Sequence, residues 1–357
     1  MASGQRVIIG NALDVLKTLP EESIDCVVTS PPYFNLRSYG TDPVTWDDGQ
    51  VCELGREEHY DDYIRHLCDI FDEVKRVLKP TGTLFVNLGD SYGGSGGNNT
   101  STKDEASKWK AMKRHDPKRG KVINDYDKAK GQFRHKSLIL IPQRFVVEMY
   151  ERGWYVRNDI IWHKPSVVPN PVKDRFTVDH EYVFFFTKSD QYDFEQQREP
   201  LAGGTGGATR AKEYMNMNLD GKVIVKHNDV RKAPMHQWKT GGTRDLVMNN
   251  NNPERFAPSA GRNMRTVWTI NPSGSDASSN DFEHIAKFPL ELVRRMVSSG
   301  CPPGGTVLDP FCGSGTTLEY CRLNDIDAIG IEINPAYGKV AKERCMANVS
   351  QLEKWFP

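Results

Sequence analysis

Residues 307–321, VLDPFCGSGTTLEYC, constrain this chain more than any other stretch. An apolar run ends at Asp309, glycines follow at 313 and 315, and a helical pattern opens at Thr316. That order reads as strand, tight turn, helix. Glycine reaches backbone conformations closed to other residues and lets a second backbone come close. The turn therefore exposes its amides and the helix start to a ligand. A second apolar run, IGIEI at 329–333, carries Glu332 about twenty residues further on. Such a strand–helix–strand unit is parallel. An acid at the end of the neighbouring strand is placed to accept hydrogen bonds from both hydroxyls of a ribose. The turn has neither GxxxxGK[ST] nor a full GxGxxG, so ATP hydrolysis is disfavoured. A structural turn with an incidental acid is the other reading.

The rest of the chain repeats this alternation in three patterned segments. Strands are predicted at Arg6–Ile9, Ile24–Thr29, Thr83–Leu88, Trp154–His163, Glu181–Thr187, Thr306–Leu308 and Ala328–Glu332. Helices are predicted at Ala12–Thr18, Tyr60–Leu78, Leu138–Tyr150, Phe288–Ser298, Thr316–Leu323 and Tyr337–Leu352. In Tyr60–Leu78 the apolar residues recur at three and four, the spacing of one helix face. Pro80-Thr81-Gly82 reads as the turn that closes it. Runs of this kind give an α/β fold with a mostly parallel sheet. Residues 91–136 and 189–265 interrupt the pattern with Gly, Asn and Lys. Long irregular insertions in compact domains are often lids or binding loops.

Charge sharpens that reading. The chain holds 47 basic and 47 acidic residues, but unevenly. Residues 103–136 carry a net of +7 and residues 198–265 a net of +6, leaving −13 elsewhere. Two basic islands in an acidic body suit a nucleic-acid ligand gripped by its phosphates, or are simply solvated loops. Lys118, Arg119, Lys121, Arg134 and Lys136 are the candidate DNA contacts in the first island. No stretch approaches 18 apolar residues, so a membrane span is excluded. The seven cysteines are odd in number and show no CxxC, which argues against a disulfide framework and a thiolate zinc site. No HExxH or tight histidine cluster occurs, so no metal is expected.

The second sharp signal is VVTSPPYF, 27–34. Ser30 stands at the carboxyl end of a predicted strand, where open α/β sheets place ligands. Pro31 and Pro32 stiffen the backbone and leave carbonyls without a local amide partner. Tyr33 is then a rigid aromatic face. A hydroxyl, free carbonyls and a flat ring build a pocket for an exocyclic NH2 on a base. A base inside a duplex must be flipped out to reach it. A proline-stiffened strand exit with a core tyrosine is the alternative.

Together these residues resemble the amino-group DNA methyltransferases that use S-adenosyl-L-methionine, over most of the chain. Ser30-Pro31-Pro32-Tyr33 matches that family's catalytic motif [DNS]PP[YFW]. Asp309-Pro310-Phe311-Cys312-Gly313-Ser314-Gly315-Thr316-Thr317 matches its cofactor motif, and Glu332 its ribose-binding acid. His284, Lys287, Phe288 and Pro289 fall in its H-x-A-x-F-P segment. The stretches Val86 to Tyr92, Asn158 to Pro165 and His180-Glu181-Tyr182 also look like its members. Asn11 stands where the family usually has an acid contacting the adenine, and its side-chain carbonyl can still accept from an amine.

The resemblance implies a Rossmann-like methyltransferase fold of the permuted class called beta, because the catalytic motif precedes the cofactor motif. It implies a catalytic half at 1–190 with a basic loop at 91–136, a target-recognition region at 191–265, and a cofactor half at 266–357. The implied reaction is direct methyl transfer to an exocyclic nitrogen, with Ser30 and the Pro31 carbonyl holding the amine and Tyr33 stacking on the base. Serine at the first catalytic position is commoner in the cytosine-N4 enzymes of this family and aspartate in the adenine-N6 enzymes, so N4 of cytosine in double-stranded DNA is the expected target. Adenine N6 and RNA stay open. So does a cofactor-binding protein without transfer activity; a nicotinamide dehydrogenase would want the full GxGxxG and has no use for SPPY. Members are largely bacterial or viral, which implies a cytoplasmic site of action and a possible cognate restriction endonuclease. The sequence leaves the oligomeric state open.

Overall fold

The computed structural model describes residues 4–36, 41–93, 134, 136–167, 170–199, 262–272 and 289–346. The strands are β1 (Gln5–Ile9), β2 (Ile24–Thr29), β3 (Val44–Thr45), β4 (Val51–Cys52), β5 (Leu78–Leu88), β6 (Tyr155–His163), β7 (His180–Thr187), β8 (Arg198–Glu199), β9 (Arg262–Asn263), β10 (Val267–Thr269), β11 (Thr306–Asp309) and β12 (Asp327–Glu332). The helices are α1 (Ala12–Thr18), α2 (Tyr60–Val77), α3 (Ile141–Glu151), α4 (Leu290–Gly300), α5 (Thr316–Leu323) and α6 (Pro335–Met346).

The chain divides into two units, residues 1–195 with 265–357 and residues 196–264. The first holds an eight-stranded sheet in the order β1-β12-β11-β2-β5-β7-β6-β10. Only β7 runs against its neighbours; the other pairings are parallel. Two late strands, β11 and β12, are thus slotted between the two earliest, β1 and β2. In the second unit the described residues form the antiparallel β8–β9 pair, with Arg262 bonded to Glu199 at 2.8 Å. Most of the expected recognition region, 191–265, lies outside the described residues.

The sheet is covered on both faces. In β2 all six residues are buried, as a central parallel strand requires. Alternate residues serve the two sides. Val27, Leu84, Val86, Phe184, Phe186, Leu308 and Ile331 pack with α1, α2 and α3 in one core. Phe85 points the other way, where Gly300 at the end of α4 closes on it: a Cβ there would lie 2.6 Å from the Phe85 ring.

Three of the boundaries that move do so for reasons visible in the structure. Pro80-Thr81-Gly82, expected as the turn that closes the helix, lies inside β5. Ile24 pairs with Leu78 and Cys26 with Thr83, so β5 bulges outward between them. A proline is tolerated in such a bulge because no ladder amide is needed there. The helix expected from Leu138 begins at Ile141. Leu140 holds a left-handed φ of 65°, Pro142 fills the first turn, and the Asp90 carboxylate accepts from the Leu140 and Ile141 amides at 3.1 Å each. The helix expected from Phe288 begins at Leu290 with Pro289 as its cap.

Candidate active site

Parallel topology sends the carboxyl ends of β1, β12, β11, β2, β5 and β6 to one edge. The reversed β7 delivers its first residues to the same edge. The segments singled out from sequence therefore meet there. The glycine turn after β11 is held from three sides. Asp309 accepts from Thr29 Oγ1 and Thr317 Oγ1 at 2.7 Å each and from the Phe311 amide at 3.1 Å. Burial pushes its carboxyl up to about 6. Arg344 donates to the Ser314 carbonyl at 3.0 Å and ion-pairs with buried Glu319 at 2.5 Å. Gly313 and Gly315 both take positive φ, 52° and 87°.

Glu332 faces this turn from the end of β12. Its Oε2 accepts from the Gly313 amide at 2.9 Å and its Oε1 from the Asn334 amide at 2.7 Å. Burial raises its pKa in spite of these bonds. Two fixed amides set the orientation of the carboxylate, and each oxygen keeps a lone-pair direction for a further donor.

The turn opens onto a cleft. Phe311, Gly313, Ser314, Thr316 and Glu332 line it, and so do Asn11, Ser30 and Pro32. Pockets predicted separately are one continuous space. Sequence reading missed a whole wall, supplied by Thr41, Val44, Trp46, Glu53 and Leu54 around the β3–β4 hairpin, and the ring of Tyr337. Trp46 stacks on His66 with centroids 4.1 Å apart and planes 4° apart. An aromatic next to Asp-Asp-Gly carried the only local signal, a turn, and nothing in it pointed to the cleft.

The SPPY segment is built into a polar network. Tyr33 donates to Glu181 Oε2 at 2.8 Å and lies 3.1 Å from Asn87 Oδ1. Ser30 Oγ is 3.4 Å from both Asn87 Oδ1 and the Tyr33 hydroxyl. Burial, then the Glu181 charge, raises the Tyr33 pKa well above its ordinary value. The hydroxyl stays protonated and neutral. One of the two proline carbonyls is already taken, because Tyr63 donates to Pro32 O at 2.8 Å. The Pro31 carbonyl accepts no hydrogen bond among the described residues. Tyr33 is half-buried and lies outside the cleft lining.

Three of the expected cofactor residues sit differently from the expectation. Asp309, expected to touch the cofactor, is 1% exposed and outside the lining, with both oxygens engaged by protein donors. Its hydrogen bonds clamp the turn. Asn11 does line the cleft, but its Oδ1 caps α1, accepting from the Leu13 amide at 2.8 Å and the Asp14 amide at 3.4 Å. That cap engages its Oδ1 and leaves the amide NH2, a donor, without a hydrogen-bond partner among the described residues. Gly315 packs under the turn and does not line the cleft. Its own Cβ, if it had one, would lie 2.9 Å from that of Ala341. Pro289 is buried at the start of α4. His284, Lys287 and Phe288 lie outside the described residues, as do Lys118, Arg119 and Lys121. Arg134 and Lys136 are exposed, and Lys136 is paired with Asp174.

One set of metal-type donors does converge among the described residues: Cys52, Glu57 and His66, whose donor atoms lie within 4.8 Å of one another. The separation in sequence concealed it. Both ring nitrogens of His66 already face carboxylates, Nδ1 at 3.1 Å from Glu57 and Nε2 at 3.3 Å from Asp48. The trio ties the hairpin wall to α2. No described helix is long and apolar enough to cross a membrane.

Comparison with known proteins places this edge in context. A family model described as DNA methylase, N6_N4_Mtase, matches residues 24–343. The type II methyltransferase M.SmaI of Serratia marcescens is 35% identical over 343 residues, spanning 96% of this chain and 90% of that protein. M.Cfr9I of Citrobacter freundii, also a type II methyltransferase, is 34% identical over 342 residues, with 96% and 88% covered. Among solved structures, the PvuII DNA methyltransferase (cytosine-N4-specific) aligns with a TM-score of 0.57 at 18% identity, over 99% of this chain and 90% of that one. At that identity it speaks for the fold alone.

Proposed function

The chain belongs to the N6/N4 family of DNA methylases, and within that family we propose that it methylates the N4 amine of cytosine in duplex DNA. It is an S-adenosyl-L-methionine-dependent enzyme that modifies an exocyclic amino group of a DNA base, with the permuted motif order of its family. The cleft suits that donor. A buried carboxylate stands at its floor, Gly313 leaves open space where a Cβ would project, and Phe311, Ile333 and Tyr337 supply apolar walls. Glu332 would hold the ribose hydroxyls, and the Asn11 amide would donate to the adenine. When bound, the donor supplies a methyl group on a cationic sulfur.

The observation that carries the proposal is the shared cleft: Ser30 and Glu332 line one space. A base amine held at Ser30 would sit within reach of a group held by the glycine turn. An aromatic amine is a poor nucleophile because its lone pair is delocalised into the ring. Two acceptors, Ser30 Oγ and the Pro31 carbonyl, would hold its two hydrogens and turn the nitrogen toward a pyramidal shape that frees the pair. Both acceptors are neutral, which suits the cytosine amine. Positioning of this kind supplies most of the catalysis. Flipping the base out would cost a few kcal/mol of stacking and pairing, which contacts from Tyr33 and the basic residues Lys118, Arg119, Lys121, Arg134 and Lys136 would offset. A cognate restriction endonuclease is the partner we assign; host DNA resistant to cleavage only when the enzyme is active tests that.

The test of the target atom is transfer of labelled methyl to unmodified mixed-sequence DNA, followed by digestion and mass spectrometry of the nucleosides. N4-methylcytosine is the expected product. N6-methyladenine overturns the assignment made from Ser30 and leaves the reaction class standing.

A further inference from the structure

Glu181 is a residue the mechanism above does not use. It is the second residue of β7, and the reversal of that strand brings it to the catalytic edge. Its Oε2 accepts the Tyr33 proton at 2.8 Å, and its Oε1 is ion-paired with Lys164. The two side chains are only 21% and 18% exposed, so this is not a loose surface pair. Lys164 is itself braced, with its ammonium 4.3 Å from the Trp162 ring centre and its amide bonded to Asp179 O at 2.7 Å. The Tyr33 ring has no slack, since a Cβ on Gly89 would lie 2.7 Å from its Cε2.

Hydrogen-bond polarity then follows from the fixed ends of the network. Asn87 donates its NH2 to the Tyr182 carbonyl at 3.0 Å, which turns Oδ1 toward Ser30 and Tyr33. A carboxylate only accepts, so Tyr33 must spend its single proton on Glu181. Ser30 then finds two oxygens, Asn87 Oδ1 and Tyr33 Oη, and it can only donate to them. Its lone pairs are left facing away from the network. We propose that Glu181 and Lys164 form a positioning pair that locks Tyr33 and, with Asn87, makes Ser30 Oγ an acceptor toward the target amine. This rests on the reading of Ser30 to Tyr33 as the base-binding segment.

The test is a double-mutant cycle with Glu181→Ala, Tyr33→Phe and both together, plus Glu181→Gln. Each variant is assayed by single-turnover methyl transfer to DNA and by cofactor affinity. Glu181→Ala is expected to slow transfer on the order of 10–100-fold, the range that loss of positioning produces, with cofactor affinity unchanged. Placed on Tyr33→Phe, which has no hydroxyl to hold, it adds less than about twofold, since coupled sites are not additive. Glu181→Gln keeps an acceptor but loses the ion pair, keeps the volume should the alanine variant fold poorly, and falls between. An undiminished effect of Glu181→Ala on the Tyr33→Phe background overturns the proposal. So does normal transfer by Glu181→Ala and Glu181→Gln while Tyr33→Ala is inactive. If Tyr33→Ala also transfers normally, the base-binding reading itself has failed.

Discussion

Gly313 and Gly315 look alike in sequence, and the structure gives them different jobs. Both have positive φ, 52° and 87°. An alanine in that region costs about 1–2 kcal/mol from backbone strain alone. At Gly313 the new Cβ meets no protein atom within 4 Å, and Gly313 lines the cleft. At Gly315 it would lie 2.9 Å from the Ala341 Cβ and 3.0 Å from the Ala341 Cα. A backbone atom on α6 cannot swing aside, so overpacking adds about 1–3 kcal/mol there. Gly313→Ala should therefore lose about 1–2 kcal/mol of stability, and Gly315→Ala about 2–5 kcal/mol. Cofactor affinity should move the other way. The Gly313 methyl enters the space a ligand occupies, and a loss of tenfold or more, about 1.4 kcal/mol, is expected. Denaturant unfolding of the ligand-free protein measures the first quantity and titration calorimetry with S-adenosylmethionine the second. Equal stability losses, or a Gly313→Ala protein that binds cofactor like wild type, would refute the division of roles.

Three further outcomes follow from the same geometry. Asp309 titrates near 6 in the fold against an unfolded value of about 3.9, so the folded state binds more protons between those values. Its contribution is fully present below about 3.9 and is lost as pH rises through 6. Lowering pH from 7 to 5 should thus favour wild type over Asp309→Asn by roughly 1 kcal/mol, read from paired denaturation curves; a constant difference would contradict it. Trp46→Ala should raise amide exchange across residues 41–54 and weaken cofactor binding, because the ring both stacks on His66 and lines the cleft; unchanged exchange would remove the hairpin from the site. Replacing Lys118 and Arg119 by alanine should weaken DNA binding across sequences and flatten the salt dependence by about 1–2 in log–log slope. A loss confined to one sequence would rule out phosphate contact.

Much of this protein was legible residue by residue. Strand ends, glycine turns and apolar spacing are local properties, so Ile24–Thr29, Ala12–Thr18 and Thr316–Leu323 fall where their own sequences put them. The bulge at Pro80 and the helix start at Ile141 were not, because pairing with β2 and capping by Asp90 depend on distant partners. The wall around Trp46 escaped for the same reason. By itself the sequence determined a parallel α/β sheet, a glycine turn with an acid beside it, and a proline-braced SPPY strand exit. Tertiary structure alone decided that these share one cleft, that the Asp309 side chain clamps the turn, and that Glu181 holds Tyr33. Those bonds join residues 280 and 148 positions apart, as from Thr29 to Asp309 and from Tyr33 to Glu181. Strand order sets such distances, and strand order follows from burying both faces of the sheet, which no short window of sequence encodes.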